Sequence, residues 1–344
     1  MTVESGTPAP YVPPSPALPF PSLRSSHAEG FEEPALEWAV RCGLVAGERA
    51  ETYWREVGLG EVSARAYPYA DAATGLVLTR WVGWTACVER YFDVPSAPAP
   101  QELLTLVESL AGAGEPPRVR HPLAVALADL WRDTSALMPP HWNRHLAVNL
   151  AGYVKACAAE SQQLDGDPQQ LGVEDQHLGV EDYFEQRRLT VGSYVYCDLV
   201  ELSVGFAVPD SLYRSAVYGR MRQVWNDLTS LVNDLASVPK ELAAGDTLHN
   251  LVLLTHHREA IPLDRAALQV AAHVEELAGT FTTLKEQLEA EARRQHLTAE
   301  DRDGVRRCVR AMEAFIAGEQ RWHELSSRYT PAGGPPETYA VKGL

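Results

Sequence analysis

From about Phe31 onward, apolar residues recur at three- and four-residue intervals, the spacing that gathers side chains on one face of a helix. Leu103, Leu104, Leu106, Val107 and Leu110 follow it, as do Leu123, Val125, Leu127, Leu130 and Trp131, then Leu146, Leu150, Tyr153, Val154 and Cys157. The same pattern predicts two longer helices, Asp264 to Arg294 and Asp303 to Ser327. Strand-like alternation rarely lasts beyond five residues. The predicted fold class is all-α, a single domain of roughly ten or more helices and so larger than a simple four-helix bundle. Helix breaks are expected at Pro95–Pro100, Gly112–Pro117, Pro139–Pro140, Gly166–Pro168 and Pro209. Residues 1–30 read as a proline-rich arm, extended or disordered, with a strap over a site as its functional reading. The helical domain is expected over 31–331 and a flexible tail over 332–344. A short repeat, Leu171–Asp175 and Leu178–Asp182 (both LGVED), reads as a duplication that lengthens a loop.

Composition narrows the function classes. The 344 residues carry 30 Lys plus Arg against 46 Asp plus Glu, a formal charge of -16. So acidic a chain offers no basic surface for nucleic acid or an anionic membrane. The five cysteines are widely spaced with no C-x-x-C pair, which predicts free thiols and a cytoplasmic location. No apolar run is long enough to span a membrane.

The candidate chemistry lies in Asn233-Asp-Leu-Ala-Ser237-Val-Pro-Lys240-Glu241. Asn233, Ser237 and Glu241 stand at i, i+4 and i+8, which keeps them on one helical wall. An amide oxygen, a hydroxyl and a carboxylate are hard donors suited to Mg²⁺, a cation that usually completes its octahedron with water and phosphate oxygens. A near-copy seven residues earlier, Asn226 to Asp234, ends in Asp and is rejected as the metal motif. Its Asn226 and Ser230 are expected to cap or solvate the helix. Pro239 deletes one helical N–H and frees the carbonyl of Leu235.

NDLASVPKE resembles the second metal-binding motif, Asn-Asp-x-x-Ser-x-x-x-Glu, of the bacterial class I terpene synthases. Tyr183-Phe-Glu-Gln-Arg187-Arg188-Leu-Thr190 is similar to their pyrophosphate-sensing arginine segment, and Gly318-Glu-Gln-Arg-Trp322 leading into Arg328-Tyr329 to their C-terminal Arg-Tyr pair. Asp246 and Asn250 also follow the family habit. The resemblance covers about Trp38 to Tyr329 and implies helices around a central apolar cavity. It implies Mg²⁺, as a trinuclear cluster with Mn²⁺ as a substitute, bound by Glu89, Asp93, Asn233, Ser237 and Glu241. Arg187, Arg328, Tyr329 and Lys240 take the catalytic, diphosphate-facing roles. Trp81, Trp84, Thr190, Val191, Gly192 and Trp322 are the implied substrate-binding residues, the turn near Val191 and Gly192 supplying a carbonyl that helps trigger ionisation. Other aromatic candidates are Tyr91, Tyr194 and Trp225, with core packing expected for more than half of the aromatic set. The partner is a prenyl diphosphate, and a homodimer is compatible with this reading.

The first metal motif departs from the family pattern. Where an aspartate-rich cluster is expected, the chain reads Glu89-Arg90-Tyr91-Phe92-Asp93. Glu89 and Asp93 share a face at i, i+4, whereas Arg90 points about 100° away, toward phosphate, a neighbouring acid or solvent. The implied reaction is metal-assisted loss of diphosphate followed by cyclisation of the allylic cation. The small side chains of Thr85-Ala-Cys-Val88 favour a C20 substrate, geranylgeranyl diphosphate, with C15 farnesyl diphosphate next. The alternatives are a synthase that lets water capture the cation as a linear alcohol, and an isoprenoid-diphosphate binder without turnover. His141 with His145, and His256 with His257, lack partners for a metal motif and are expected in the core or on the surface.

Overall fold

The computed structural model describes residues 11–93, 100–112, 117–163, 179–244 and 249–329. Helices begin where the sequence supplies a cap. Asp71 accepts the Thr74 N–H at 2.7 Å and starts the helix that carries Glu89. Thr298 and Asp301 form a capping box, so the last long helix starts a turn earlier than apolar periodicity predicts. In order the helices are α1 (Glu32–Arg41), α2 (Glu48–Val57), α3 (Leu59–Ala66), α4 (Ala72–Phe92), α5 (Gln101–Ala111), α6 (Pro122–Ser135) and α7 (Pro140–Gln163). They continue with α8 (Val180–Thr190), α9 (Ser193–Ser203), α10 (Asp210–Tyr213), α11 (Ala216–Ala244), α12 (Leu251–Glu259), α13 (Leu263–Arg294) and α14 (Ala299–Leu325). A 3₁₀ turn, Ser327–Tyr329, follows α14. Among the described residues there is no strand, as the all-α reading requires.

Of the predicted breaks, Pro139 and Pro209 fall between helices, and Pro100, Gly112 and Pro117 stand outside them, while residues 95–99 and 113–116 lie outside the described residues. Pro140 opens α7, where a missing N–H costs nothing because first-turn donors have no intrahelical partner. Gly166–Pro168, the first copy of the repeat, Asp246 and the tail 332–344 lie outside the described residues.

α11 lies centrally, packed on α13, α14, α9, α8 and α12. Trp38, Trp54, Trp81, Trp84, Trp142 and Trp225 are fully buried and fill the space between helices. α14 packs on α3 so closely that a Cβ on Gly318 would lie 2.3 Å from the Arg65 carbonyl oxygen. No helix among the described residues is long and apolar enough to cross a membrane.

Over residues 11–25 the amino-terminal arm is extended, as proline demands, and tied down, and a 3₁₀ turn, Ala28–Gly30, leads into α1. Phe20 is buried edge-on against Phe281, and the Ser25 N–H donates to the Ala64 carbonyl at 2.9 Å. Residues 1–10 lie outside the described set.

Because backbone cannot yield as a side chain end does, Gly318→Ala is expected to cost about 1–3 kcal/mol by overpacking. Urea unfolding measures this, and an unchanged midpoint would refute the close approach of α14 to α3.

Candidate active site

α11 presents the predicted metal wall. Asn233, Ser237 and Glu241 lie on it within its last twelve residues. Asn233 Nδ2 donates to the Tyr329 hydroxyl at 3.2 Å and lies 3.4 Å from His323 Nε2. Its Oδ1 accepts from Arg187 Nη2 at 2.9 Å. Ser237 Oγ accepts from Asn250 Nδ2 at 3.2 Å. Glu241 also bonds to Ser237, while its Oε2 is buried with no hydrogen-bond partner. Burial, with the charge of Asp234 adding to it, pushes the Glu241 carboxyl up to about 7.

Two consecutive arginines at the end of α8 clamp this helix. Arg187 pairs with Asp234 Oδ1 at 3.1 Å, and Arg188 takes both oxygens of Asp227 at 2.6 and 2.9 Å. Asp227 and Asp234 are seven residues apart, two helical turns, so they share a face of α11. This explains the near-copy of the motif and corrects the reading of its residues. Asn226 and Ser230 are buried, and neither caps nor solvates the helix. Asn226 Nδ2 donates to the Arg188 carbonyl at 2.9 Å, and Ser230 Oγ donates to Asn226 Oδ1 at 3.4 Å.

The facing wall is the end of α4. Arg328 Nη2 donates to Glu89 Oε2 at 2.8 Å. Lys240 Nζ reaches across from α11, 3.6 Å from Glu89 Oε1 and 3.6 Å from Asp93 Oδ2. Burial pushes the Glu89 carboxyl up, but Arg328 and Lys240 outweigh it and hold it down at about 2. Asp93 is shifted the other way, upward, by burial and by the charge of Glu89, with Lys240 opposing. Arg90, Asp93, Lys240 and Arg328 line one cleft with Tyr53 and Val57, so Arg90 joins the cleft despite its different helical bearing. The cleft encloses about 30 Å³. A wider, open groove of about 420 Å³ at Trp38, Cys42, Asp129 and Arg132 includes no motif residue.

The aromatic candidates fall elsewhere. Trp81 and Trp84 are fully buried, with indoles donating to Thr134 Oγ1 at 2.8 Å and the Leu123 carbonyl at 2.9 Å. They fasten α4 to α6, and neither lines the cleft. The Trp322 indole donates to the Val57 carbonyl at 3.2 Å and its ring meets Tyr329 edge-on, steadying the Arg-Tyr turn against α2. Trp225 is bonded to the Met312 carbonyl, and the Tyr194 ring lies beneath Arg222. Thr190 closes α8, Val191 caps it, and Gly192 starts α9 at φ +74. A Cβ on Gly192 would come within 3.2 Å of the Tyr153 ring, so both space and conformation favour glycine there. His145 stacks on Tyr213, and His256 bonds to the Ile261 carbonyl.

Sequence reasoning missed four residues. Asp234 holds Arg187, Tyr183 and the Leu251 N–H, and although the motif specifies an aspartate at its position, no role was assigned to it. His323 and Tyr196 had no sequence signal. Glu319 stood in the Gly318–Trp322 stretch, and burial pushes its carboxyl up to about 8.

The donor set suits a hard divalent cation. The partnerless, buried Glu241 Oε2 is a carboxylate oxygen lacking compensation, the condition that a bound cation relieves. Among the described residues no three His, Cys, Asp or Glu converge as a cage. Residues 80–278 match Terpene synthase family 2, C-terminal metal binding, over more than half of the chain. The chain belongs to this family of bacterial class I terpene synthases. The synthase is 30% identical to pentalenene synthase of Streptomyces avermitilis over 91% of this chain and 91% of that one. It is 29% identical to 7-epi-alpha-eudesmol synthase ((2E,6E)-farnesyl diphosphate cyclizing) of Streptomyces viridochromogenes, covering 92% of this chain and 91% of the relative. A solved structure of an α-eudesmol synthase superposes with a TM-score of 0.76 at 26% identity, over 90% of this chain and 98% of that one.

Removing the charge of Asp234 leaves Arg187 buried without its ion partner, so Asp234→Asn is expected to cost the synthase about 3–5 kcal/mol. Denaturant unfolding without metal or substrate measures it, and a loss below 1 kcal/mol would show that Arg187 does not depend on the pair.

Proposed function

We propose that the synthase ionises farnesyl diphosphate and cyclises the resulting cation, releasing diphosphate. One observation carries this reading: Arg90, Lys240 and Arg328 converge with Asp93 in one cleft, with Glu89 held beside it, between the ends of α4 and α11. Asn233, Ser237 and Glu241 would hold Mg²⁺ on one wall, and Glu89 with Asp93 on the other. The metal, when bound, supplies Lewis-acid charge at the diphosphate oxygens. The three cations bind and orient the diphosphate, and the Tyr329 hydroxyl adds a donor beside Asn233. The bond from C1 to oxygen breaks, its electron pair stays with diphosphate, and an allylic cation remains. Arg187 is proposed as the residue that links diphosphate arrival to Asn233, since it already contacts that amide.

The substrate proposed is the C15 diphosphate, in place of the C20 chain that the small side chains favoured. A relative 29% identical is described as cyclising farnesyl diphosphate. Part of the space at the small residues is taken: Thr85 Oγ1 lies 2.6 Å from the Tyr196 hydroxyl, and the Tyr153 hydroxyl donates to the Thr85 carbonyl at 3.5 Å, while Ala86 lines the cleft. Small-molecule sites usually measure roughly 300–1,000 Å³, so the lining of the cleft must part to admit substrate. A second reading, diphosphate binding without turnover, has one observation in its favour: Glu89 is already neutralised by Arg328 and Lys240.

Purified protein incubated with C10, C15 and C20 diphosphates and Mg²⁺ is expected to release a cyclic product fastest from C15, and chelation should abolish it. Lys240→Ala should lower kcat/KM about 100-fold. Gas chromatography with mass spectrometry identifies the product. A linear alcohol would replace cyclisation by water capture, and no product with Mg²⁺ or Mn²⁺ would overturn turnover altogether.

A further inference from the structure

Pro239 interrupts the hydrogen-bond ladder of α11 between two of the proposed metal ligands, Ser237 and Glu241. A proline has no N–H to give to the carbonyl four residues back, which here is Leu235. That carbonyl has a different donor. The Tyr11 hydroxyl, from a segment 224 residues away in sequence, donates to Leu235 O at 2.9 Å. The preceding carbonyl, that of Asp234, likewise takes a side-chain donor, Asn250 Nδ2 at 2.8 Å.

Tyr11 does not reach Leu235 as a loose end. The arm behind it is fixed at several points along α13 and α14. Gln320 Nε2 donates to Ser15 Oγ at 2.9 Å and to the Pro16 carbonyl at 3.0 Å. Ser15 Oγ donates to Glu324 at 3.1 Å, and the Ala17 N–H donates to Glu275 Oε1 at 2.8 Å. The Phe20 ring inserts against Phe281 at 5.7 Å. Prolines 13, 14, 16 and 19 restrict the arm between these anchors, so holding it in one register sacrifices little chain entropy.

We propose that Tyr11 is a positioning residue for the metal wall: its hydroxyl replaces the N–H that Pro239 lacks and holds the turn from Leu235 to Pro239, so that Ser237 and Glu241 keep their register with Asn233. The role in metal binding rests on the ligand assignment given above, whereas the replacement of the missing N–H does not. An unmet carbonyl in a partly buried turn loosens that turn. The last turn of α11 is where loosening would separate Glu241 from the other two ligands.

The test is a double-mutant cycle of Tyr11→Phe, Pro239→Ala and both together. Hydrogen exchange at residues 236–244, without metal or substrate, reads the hydrogen bond. Calorimetric binding of inorganic diphosphate in the presence of Mg²⁺ reads the ligand register. Tyr11→Phe is expected to speed exchange there about five-fold, the effect of one hydrogen bond, and to weaken Mg²⁺-dependent diphosphate binding by a similar factor. In the Pro239→Ala background, where an N–H is restored, the same change should have no effect on either. Unchanged exchange in Tyr11→Phe, or an equal effect in both backgrounds, would overturn the replacement. Faster exchange with unaltered diphosphate binding would overturn the positioning role. Failure of the unmodified protein to bind diphosphate with Mg²⁺ would instead refute the function proposed above and, with it, the role in metal binding, while the exchange cycle would still decide the hydrogen bond.

Discussion

The buried carboxylate of Asp234 is the point on which the site depends. From the middle of α11 it receives Arg187 and the Tyr183 hydroxyl from α8, and the Leu251 N–H that opens α12. A fully buried carboxylate is costly to desolvate unless such donors surround it. Meeting that cost brings three helices to one place. Arg188 repeats the arrangement two turns earlier on Asp227, so α8 lies in fixed register along α11. Asn250 completes the assembly, capping α12 through Val252 N while donating to Ser237.

A second constraint is electrostatic. The protein carries an excess of 16 negative charges, yet the cleft between α4 and α11 gathers Arg90, Lys240 and Arg328 around Asp93 and Glu89. Cations concentrated against an acidic background give an anion such as diphosphate one favoured place to bind. Glu89 is kept ionised by the same cations, while Glu241 on the other wall lies buried with one oxygen unpaired. Glu89 is thus already hydrogen-bonded to a cation, whereas Glu241 keeps one oxygen without a hydrogen-bond partner.

Much of this was legible in the sequence. The helices, most of the proline breaks and the shared wall of Asn233, Ser237 and Glu241 follow from periodicity and from the chemistry of proline, both local properties. Glu89 and Asp93 were located by the resemblance of their segment to the family's first metal motif, and their i, i+4 spacing places them on one face. Core packing was expected for more than half of the aromatic set, but which acceptors each ring would reach was not legible. Trp81, Trp84 and Trp322 have the composition of a cation-binding surface, but their N–H groups need acceptors once buried, and the acceptors lie on α6 and α2. The C20 substrate length inferred from small residues finds no support among the relatives compared, and its premise was not local either. Whether a small side chain leaves space depends on what faces it, and Tyr196 and Tyr153 face Thr85.

The sequence by itself determined what each helix could offer: which residues share a face, where the backbone would break, and that Pro239 would leave Leu235 without its helical donor. It could not determine who would answer those offers. Tyr11 on Leu235, Arg328 on Glu89 and Arg187 on Asn233 join residues 224, 239 and 46 positions apart. Contacts at such separations have no periodicity to announce them, because they depend on how helices pack once their apolar faces are buried. Only the tertiary structure decided those pairings, and with them the form of the site.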